Sequence, residues 1–325
     1  MPFEIVKPGT HIDFVRYAKS AAILSAVLIL IGFAAIPVQG FRLGIDFAGG
    51  TEIQVNFTGE EAVDEAAIRA AAGSVVEDVS VVRFGAEDSR EFLIKFSKSQ
   101  GEKGEVVDHI MAALREQVGE AREDRVEFVG PKVGEELRAD GLRALAVAGI
   151  MVLLYIAFRF TTRFAPGAIV AALHDVLVTG GLFVIMGMEF DLRVLAAMLA
   201  IVGYSLNDTI IIYDRIRENM EIRTKQDLPE VINHSINQML GRTILTSGTT
   251  LLAVLALLFL GGEVIRPFAI AMSIGIVVGT YSSIYIAAPT LLLLENRAAA
   301  SAASGSTKSK GKPNKPKGKQ KTSRA

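Results

Sequence analysis

Two hydrophobic rhythms divide the chain. Apolar runs with few charges occur at Ala21–Val38, Leu142–Phe158, Gly167–Met186, Leu192–Ile212, Thr243–Leu260 and Pro267–Leu294. Each approaches the about 20 residues that cross a bilayer core of about 30 Å as a helix. A soluble α/β protein with buried helices is the alternative, and the recurrence of such runs along the chain argues against it. Between the first run and the second the period shortens to two. In TEIQVNF (Thr51–Phe57), Ile53, Val55 and Phe57 share one face of a strand. Glu61–Ala72 is Ala-rich and helical, stopped by Gly73. DVSVVRF (Asp78–Phe84) and EFLIKF (Glu91–Phe96) read as strands joined by the turn-like GAEDSR. Glu105–Val118 is a second helix stopped by Gly119, and Asp124–Gly130 a last strand. That order, β-α-β-β-α-β, is the ferredoxin-like or split βαβ arrangement, with another α/β sandwich of the same order as the alternative. The pattern predicts an α-helical polytopic membrane protein of six transmembrane helices, with a ferredoxin-like α+β external domain between helices 1 and 2.

Composition refines this picture only through distribution. The chain is 50% hydrophobic, which a soluble protein can also reach. With no cysteine, disulfides and thiolate metal sites are excluded, and the four His are scattered, so no metal site is expected. The N-terminal apolar stretch is longer than a signal-peptide core and leads straight into more structure, so it reads as a retained helix. The net charge of −1 hides an asymmetry: residues 40–138 hold 21 acidic and 12 basic side chains, whereas nine Lys or Arg and no acid follow Glu295. The loop expected at Tyr213–Arg242 carries Arg215, Arg217, Arg223, Lys225 and Arg242, and the short connection after Phe158 carries Arg159 and Arg163. By the positive-inside rule these loops and both termini face the cytoplasm, and the acidic domain lies outside.

The expected organisation is therefore a cytoplasmic N-terminus and first helix (1–39), an extracytoplasmic domain (40–138), helices 2 to 6 with a cytoplasmic loop at 213–242 (139–295), and a basic tail (296–325). GPKVGEELR, with a Pro and a Gly ahead of acidic residues, reads as a helix N-terminus at the return to the membrane. The tail is too polar to fold. Its lysines suit anionic lipid or, as a rival, ribosomal RNA, and a merely solvated tail that aids topology is equally open.

Candidate chemistry lies inside the apolar runs. An ionisable group at the centre of a span costs about 2.5–3.5 kcal/mol on insertion scales and usually faces the bundle interior. In GYSLNDTIIIYDR, Tyr204, Ser205 and Asp208 lie within one turn and share a face, flanked by Asn207, and Gly203 is expected to admit a neighbouring helix. The alternative is an Asp208 that reaches water at the cytoplasmic interface. In GRTILTSGTT, Arg242, Thr246 and Thr249 form a polar stripe, joined by Thr250, with the alternative of a snorkelling Arg and back-bonded Thr residues. The third run holds the adjacent pair His174 and Asp175, with Thr179 one turn on. A buried Asp–His pair is suited to taking up and passing protons. No nucleophile triad, metal signature or phosphate loop appears, so no enzymatic activity is expected. The glycines of GIDFAGG read as a tight turn into the first strand.

These residues resemble a known family. GIDFAGGTEIQV, FVGPKVGEELR, HDVLVTGG, YSLNDTIIIYDRIREN and GRTILTSGTTLL are similar, in order and spacing, to the motifs of the SecF family, membrane subunits of the bacterial SecD–SecF protein-export complex. The resemblance covers residues 1 to about 295. It implies an RND-like half that works with SecD beside the SecYEG translocon, with YajC and YidC as further partners and unfolded preproteins as substrates. It also implies use of the proton-motive force, no cofactor, H⁺ or Na⁺ as coupling ion, the cytoplasmic (inner) membrane as location, lipids as surroundings and no requirement for nucleic acid. By correspondence of motif, Asp208 and Arg242 are proton-path residues working with a carboxylate of SecD, and Asp175 with His174 ranks behind them. The competing readings are an exporter half for small molecules or lipids, and a structural subunit without an ion path.

Overall fold

The computed structural model describes residue 6 and residues 10–58, 63–84, 89–96, 103–159 and 163–297. Six helices among them are long and apolar enough to cross a membrane. The first, α1 (Phe14–Gln39), is capped by Asp13, whose side chain accepts from the Arg16 amide. It leads through a short helix, α2 (Ile45–Ala48), into the external domain. There β1 (Gly50–Phe57), α3 (Glu65–Gly73), β2 (Ser80–Phe84), β3 (Glu91–Phe96), α4 (Lys103–Gln117) and β4 (Ala121–Val129) follow in order. All pairings in the sheet are antiparallel, in the order β2-β3-β1-β4. This is the ferredoxin-like arrangement anticipated from the alternation.

The alternation also names the core. Ile53, Val55 and Phe57 of β1 and Phe92, Ile94 and Phe96 of β3 are buried beneath Ile68 of α3 and Ile110 and Leu114 of α4. Phe92 is fully buried and meets Phe57 edge-on at 5.8 Å. Phe92→Ala is therefore expected to destabilise the external domain by about 3–5 kcal/mol, read as a lower urea midpoint for its protease resistance in the purified protein. Several boundaries differ from expectation. The strand expected at Asp124 starts at Ala121 because β4 pairs along the whole of β1, past a register shift between Gln54 and Val55. Part of the expected first helix (Glu61 and Ala62) and most of the GAEDSR turn lie outside the described residues, as does the basic tail from residue 298.

β4 passes directly into α5 (Pro131–Arg159), one continuous helix from the domain into the apolar run. The joint is built on absent side chains. A Cβ on Gly49, whose φ is +75°, would lie 2.8 Å from the Pro131 Cα, and one on Gly134 would lie 2.9 Å from the Gly49 amide nitrogen. The remaining helices are α6 (Ala165–Ile185), α7 (Leu192–Ile222), α8 (Leu228–Leu260) and α9 (Arg266–Arg297), the last with a π-helical turn at Ser283–Ala287. α6, α7 and α9 form the buried centre of the bundle, while α1, α5 and α8 turn most of their surface outward.

The long loop expected over Tyr213–Arg242 is not a loop. α7 runs on to Ile222 and α8 begins at Leu228, so only a short turn joins them. Ile216, Ile232 and Ile236 are buried between these extensions, and the Asn219 amide donates to Ser235 Oγ (2.9 Å) and Gln238 Oε1 (3.0 Å). Of the charges that suggested a loop, Arg215, Arg217 and Arg242 sit on helices, and Arg223 and Lys225 lie in the short turn.

Candidate functional site

Two buried carboxylates organise the polar interior of the bundle. Asp175, on α6, is fully buried. One of its oxygens faces His174 Nδ1 at 2.9 Å. The other accepts from the hydroxyls of Ser205, on α7, and Ser282, on α9, the latter at 2.9 Å. Beyond His174 the chain of contacts continues: Nε2 lies 2.8 Å from Ser25 Oγ of α1, Ser25 Oγ lies 3.1 Å from the Tyr281 hydroxyl, and Tyr281 donates to the Ala21 carbonyl at 2.7 Å. This row accommodates either protonation state of the imidazole. A neutral ring donates from Nδ1 to Asp175 and accepts from Ser25. A doubly protonated ring donates at both ends, and Ser25 then turns its proton toward Tyr281, since a hydroxyl both donates and accepts.

Asp208, on α7, is 2% exposed. It accepts a 3.1 Å bond from Ser247 Oγ of α8, and Thr280 Oγ1 of α9 stands 2.8 Å from that same Ser247 oxygen. One residue further along α7, Thr209 and Ser283 share a 2.9 Å contact beside the π-helical turn. Such turns recur where a helix must present side chains out of regular register.

The structure redistributes the supporting residues. Ser205 shares the interior with Asp208 as expected, but it serves Asp175. Tyr204 brings its hydroxyl into the bundle without a hydrogen-bond partner among the described residues, as does Thr179. Asn207 is exposed on the outer face, and nothing approaches within 4 Å of a Cβ placed on Gly203, so no described helix of this chain uses that gap. The Thr stripe does not face Asp208 either: Thr246 and Thr249 back-bond to carbonyls of their own helix, Arg242 and Thr243 for the first, Leu245 and Thr246 for the second. Helical geometry explains the difference. Ser247 lies about 100° around α8 from Thr246, and Ser247 faces inward. Arg242 is exposed and lines a cleft with Asp214, Glu218 and Glu221, and among the described residues it forms no salt bridge with Asp208. Ser25, Ser247, Thr280, Ser282 and Ser283 escape a reading of the sequence because single hydroxyls in apolar helices carry no pattern of their own. Their only signal is their coincidence with the turns facing the two carboxylates.

The motifs around these positions have relatives. Residues 109–297 match the family described as protein export membrane protein SecD/SecF, C-terminal, and residues 34–60 match the SecD/SecF GG motif. A protein translocase subunit SecF from Calditerrivibrio nitroreducens is 42% identical over 299 residues, covering 90% of this chain and 97% of that one. This chain belongs to the SecF family. Another relative named protein translocase subunit SecF, from Magnetococcus marinus, is 43% identical over 298 residues, covering 90% of this chain and 94% of its own. The fold agrees: the solved structure of SecDF, a translocon-associated membrane protein from Thermus thermophilus, superposes with a TM-score of 0.80 at 36% identity over 91% of this chain. This chain spans 40% of the length of that SecDF chain. A second SecDF structure, in a super-membrane-facing form, superposes with a TM-score of 0.69 at 37% identity over 94% of this chain. With six apolar helices and membership of the SecF family, this chain is a multi-pass membrane protein of protein transport. The segment matching the GG motif includes Gly49, which serves the joint with α5.

Ser247→Ala tests whether the donor to Asp208 matters. A hydrogen bond to a charged group is worth about 1.5–3 kcal/mol. The substitution is expected to lower SecF-stimulated translocation in membrane vesicles by about tenfold, the lower part of that range at about 1.4 kcal/mol per factor of ten, with the protein level unchanged on immunoblots.

Proposed function

We propose that this chain is a subunit that, with SecD, uses the proton-motive force to promote late steps of preprotein translocation beside the SecYEG translocon. The reading rests above all on Asp208, a carboxylate buried in a membrane-length helix and held by a neutral serine hydroxyl rather than by a paired cation. A charged group in that position is costly and is retained where ions or protons move. In this mechanism Asp208 takes a proton from outside and releases it inward. Arg242 stabilises the deprotonated state, and the change of charge repacks α7 against α8 and α9. Asp175 and His174 form a second proton-holding group within the same bundle, linked to α7 and α9 through Ser205 and Ser282. Each proton that crosses releases about 2.3 kcal/mol per 100 mV, enough to bias a rigid-body movement of the external domain.

The outer face of α7 and α8 supports the need for SecD. Asn207 and Thr249 are exposed there within the apolar runs. Polar side chains on a membrane-length helix are unfavourable against lipid and suit a protein partner. In this reading both termini face the cytoplasm, the sheet domain lies outside the inner membrane and touches unfolded preproteins, and YajC and YidC join the assembly. No catalytic residue and no cofactor is assigned. The test is stimulated translocation in vesicles carrying the assembled complex, driven by an imposed proton gradient or an imposed sodium gradient. Stimulation by the proton gradient alone supports H⁺ as the coupling ion, and stimulation by sodium alone reassigns it. Stimulation that ignores both gradients leaves a structural subunit without an ion path.

A further inference from the structure

The external domain meets the membrane bundle at two kinds of contact. One is a fixed seam. The loop between α6 and α7 is stitched to the connector between α1 and β1: Gly44 N–H donates to the Phe190 carbonyl (2.8 Å), Phe190 N–H to the Arg42 carbonyl (2.8 Å), and Leu192 N–H to Asp46 Oδ2 (3.0 Å). Phe41 stacks on Phe190 with ring centres 4.2 Å apart. The seam lies beside the Gly49–Pro131 joint, where both chain crossings between domain and bundle come together.

The other contact is a single ionic bridge. Lys95, on the open face of β3, reaches Glu52 of β1 at 3.2 Å and Glu189 of the α6–α7 loop at 2.5 Å. Among the described residues, Lys95–Glu189 is the one salt bridge that joins the sheet to the bundle. It stands at the margin of an open cleft of mixed lining between sheet and helix ends, with Gln54, Leu93 and Arg125 on the sheet side and Met188, Arg193 and Ile270 on the bundle side. A stitched seam at one edge, an open cleft and one ionic bridge across it are the parts of a latch.

We propose that Lys95 is a positioning residue whose bridge to Glu189 closes the external domain onto the bundle, and that the bridge must open in each working cycle. The α6–α7 loop makes the link to function. It joins the helix of His174 and Asp175 directly to the helix of Asp208, so a shift between α6 and α7 is carried to Glu189, one residue before the stitched Phe190. Burial alone draws the Lys95 ammonium down, but Glu189 and Glu52 outweigh it and hold its pKa above the ordinary lysine value. The lysine side of the pair is therefore intact below about pH 10.4 and is lost only as pH rises through the raised value. Helix movement, not lysine titration, opens it. This inference rests on the proposed coupling for the cause of opening, but not for the opening itself.

The chain has no cysteine, which makes the test clean. Lys95→Cys with Glu189→Cys is joined, in the assembled complex, by a short thiol-cleavable crosslinker, and stimulated translocation is measured before crosslinking, after it, and after reduction. The expected results are high crosslinking yield in the resting complex, at least a fivefold loss of stimulation on crosslinking, and recovery on reduction. Low yield in the resting complex overturns the closed contact. High yield with unchanged stimulation overturns the opening step and makes the contact a static strut. Because the comparison is made on stimulation itself, it is read equally if that stimulation proves insensitive to uncoupler, which would count against the proton-driven reading alone. The exchanged pair Lys95→Glu with Glu189→Lys is expected to work better than Lys95→Glu alone, which sets a third carboxylate against those of Glu52 and Glu189.

Discussion

Asp208→Asn is expected to bring proton-dependent translocation down to the level of vesicles lacking the subunit, while the complex still assembles. Asn keeps the shape of the side chain and still accepts the Ser247 hydroxyl bond. In the proposed mechanism, what disappears is the ability to bind and release a proton, and with it the about 2.3 kcal/mol per 100 mV that each crossing would supply. The measurement is uncoupler-sensitive preprotein export by vesicles of matched complex content, with co-purification of SecD as the control for assembly. Normal export by the variant would remove Asp208 from the path and move attention to Asp175, the other carboxylate sealed inside the bundle. Failed assembly would favour a packing role.

Gly49→Val is expected to have an equally large effect through folding. The residue sits at φ +75°, a region that costs a side-chain-bearing residue about 1–2 kcal/mol. Its added Cβ would also press on the Pro131 backbone at 2.8 Å, where no flexible side chain can give way. Moving that backbone moves the start of α5 and hence the angle at which the external domain leaves the membrane. The expected result is a several-fold drop in mature protein and loss of the protease-resistant external domain, measured by immunoblot and limited trypsin digestion. Gly73→Ala is the control: nothing lies within 4 Å of the added Cβ, and Ala is the better helix former, so level and resistance are unchanged. A similar loss in both variants would point to general intolerance rather than to the joint.

Much of this architecture is legible in the pattern of side chains. Period-two alternation in Thr51–Phe57 and Glu91–Phe96 names the buried face of the external sheet, because a strand exposes alternate residues to opposite sides. Long apolar runs name six membrane helices, because only a helix satisfies its own backbone across lipid. Asp175, His174 and Asp208 stand out because charge in such a run is costly. What local pattern does not supply is the partners. That Ser205 serves Asp175 rather than Asp208, that Ser247 rather than Thr246 or Thr249 faces Asp208, and that Arg242 stands apart from it depend on how α6, α7, α8 and α9 are rotated and crossed. The Tyr213–Arg242 region differs from expectation for a related reason: its charges resemble a loop until packing of Ile216 against Ile232 and Ile236 extends two helices into it and leaves Arg223 and Lys225 in the turn. Periodicity is set by neighbours along the chain and is readable there. Rotation about a helix axis and the meeting of Lys95 with Glu189, 94 residues apart, are set by packing between elements, and only the tertiary structure decides them.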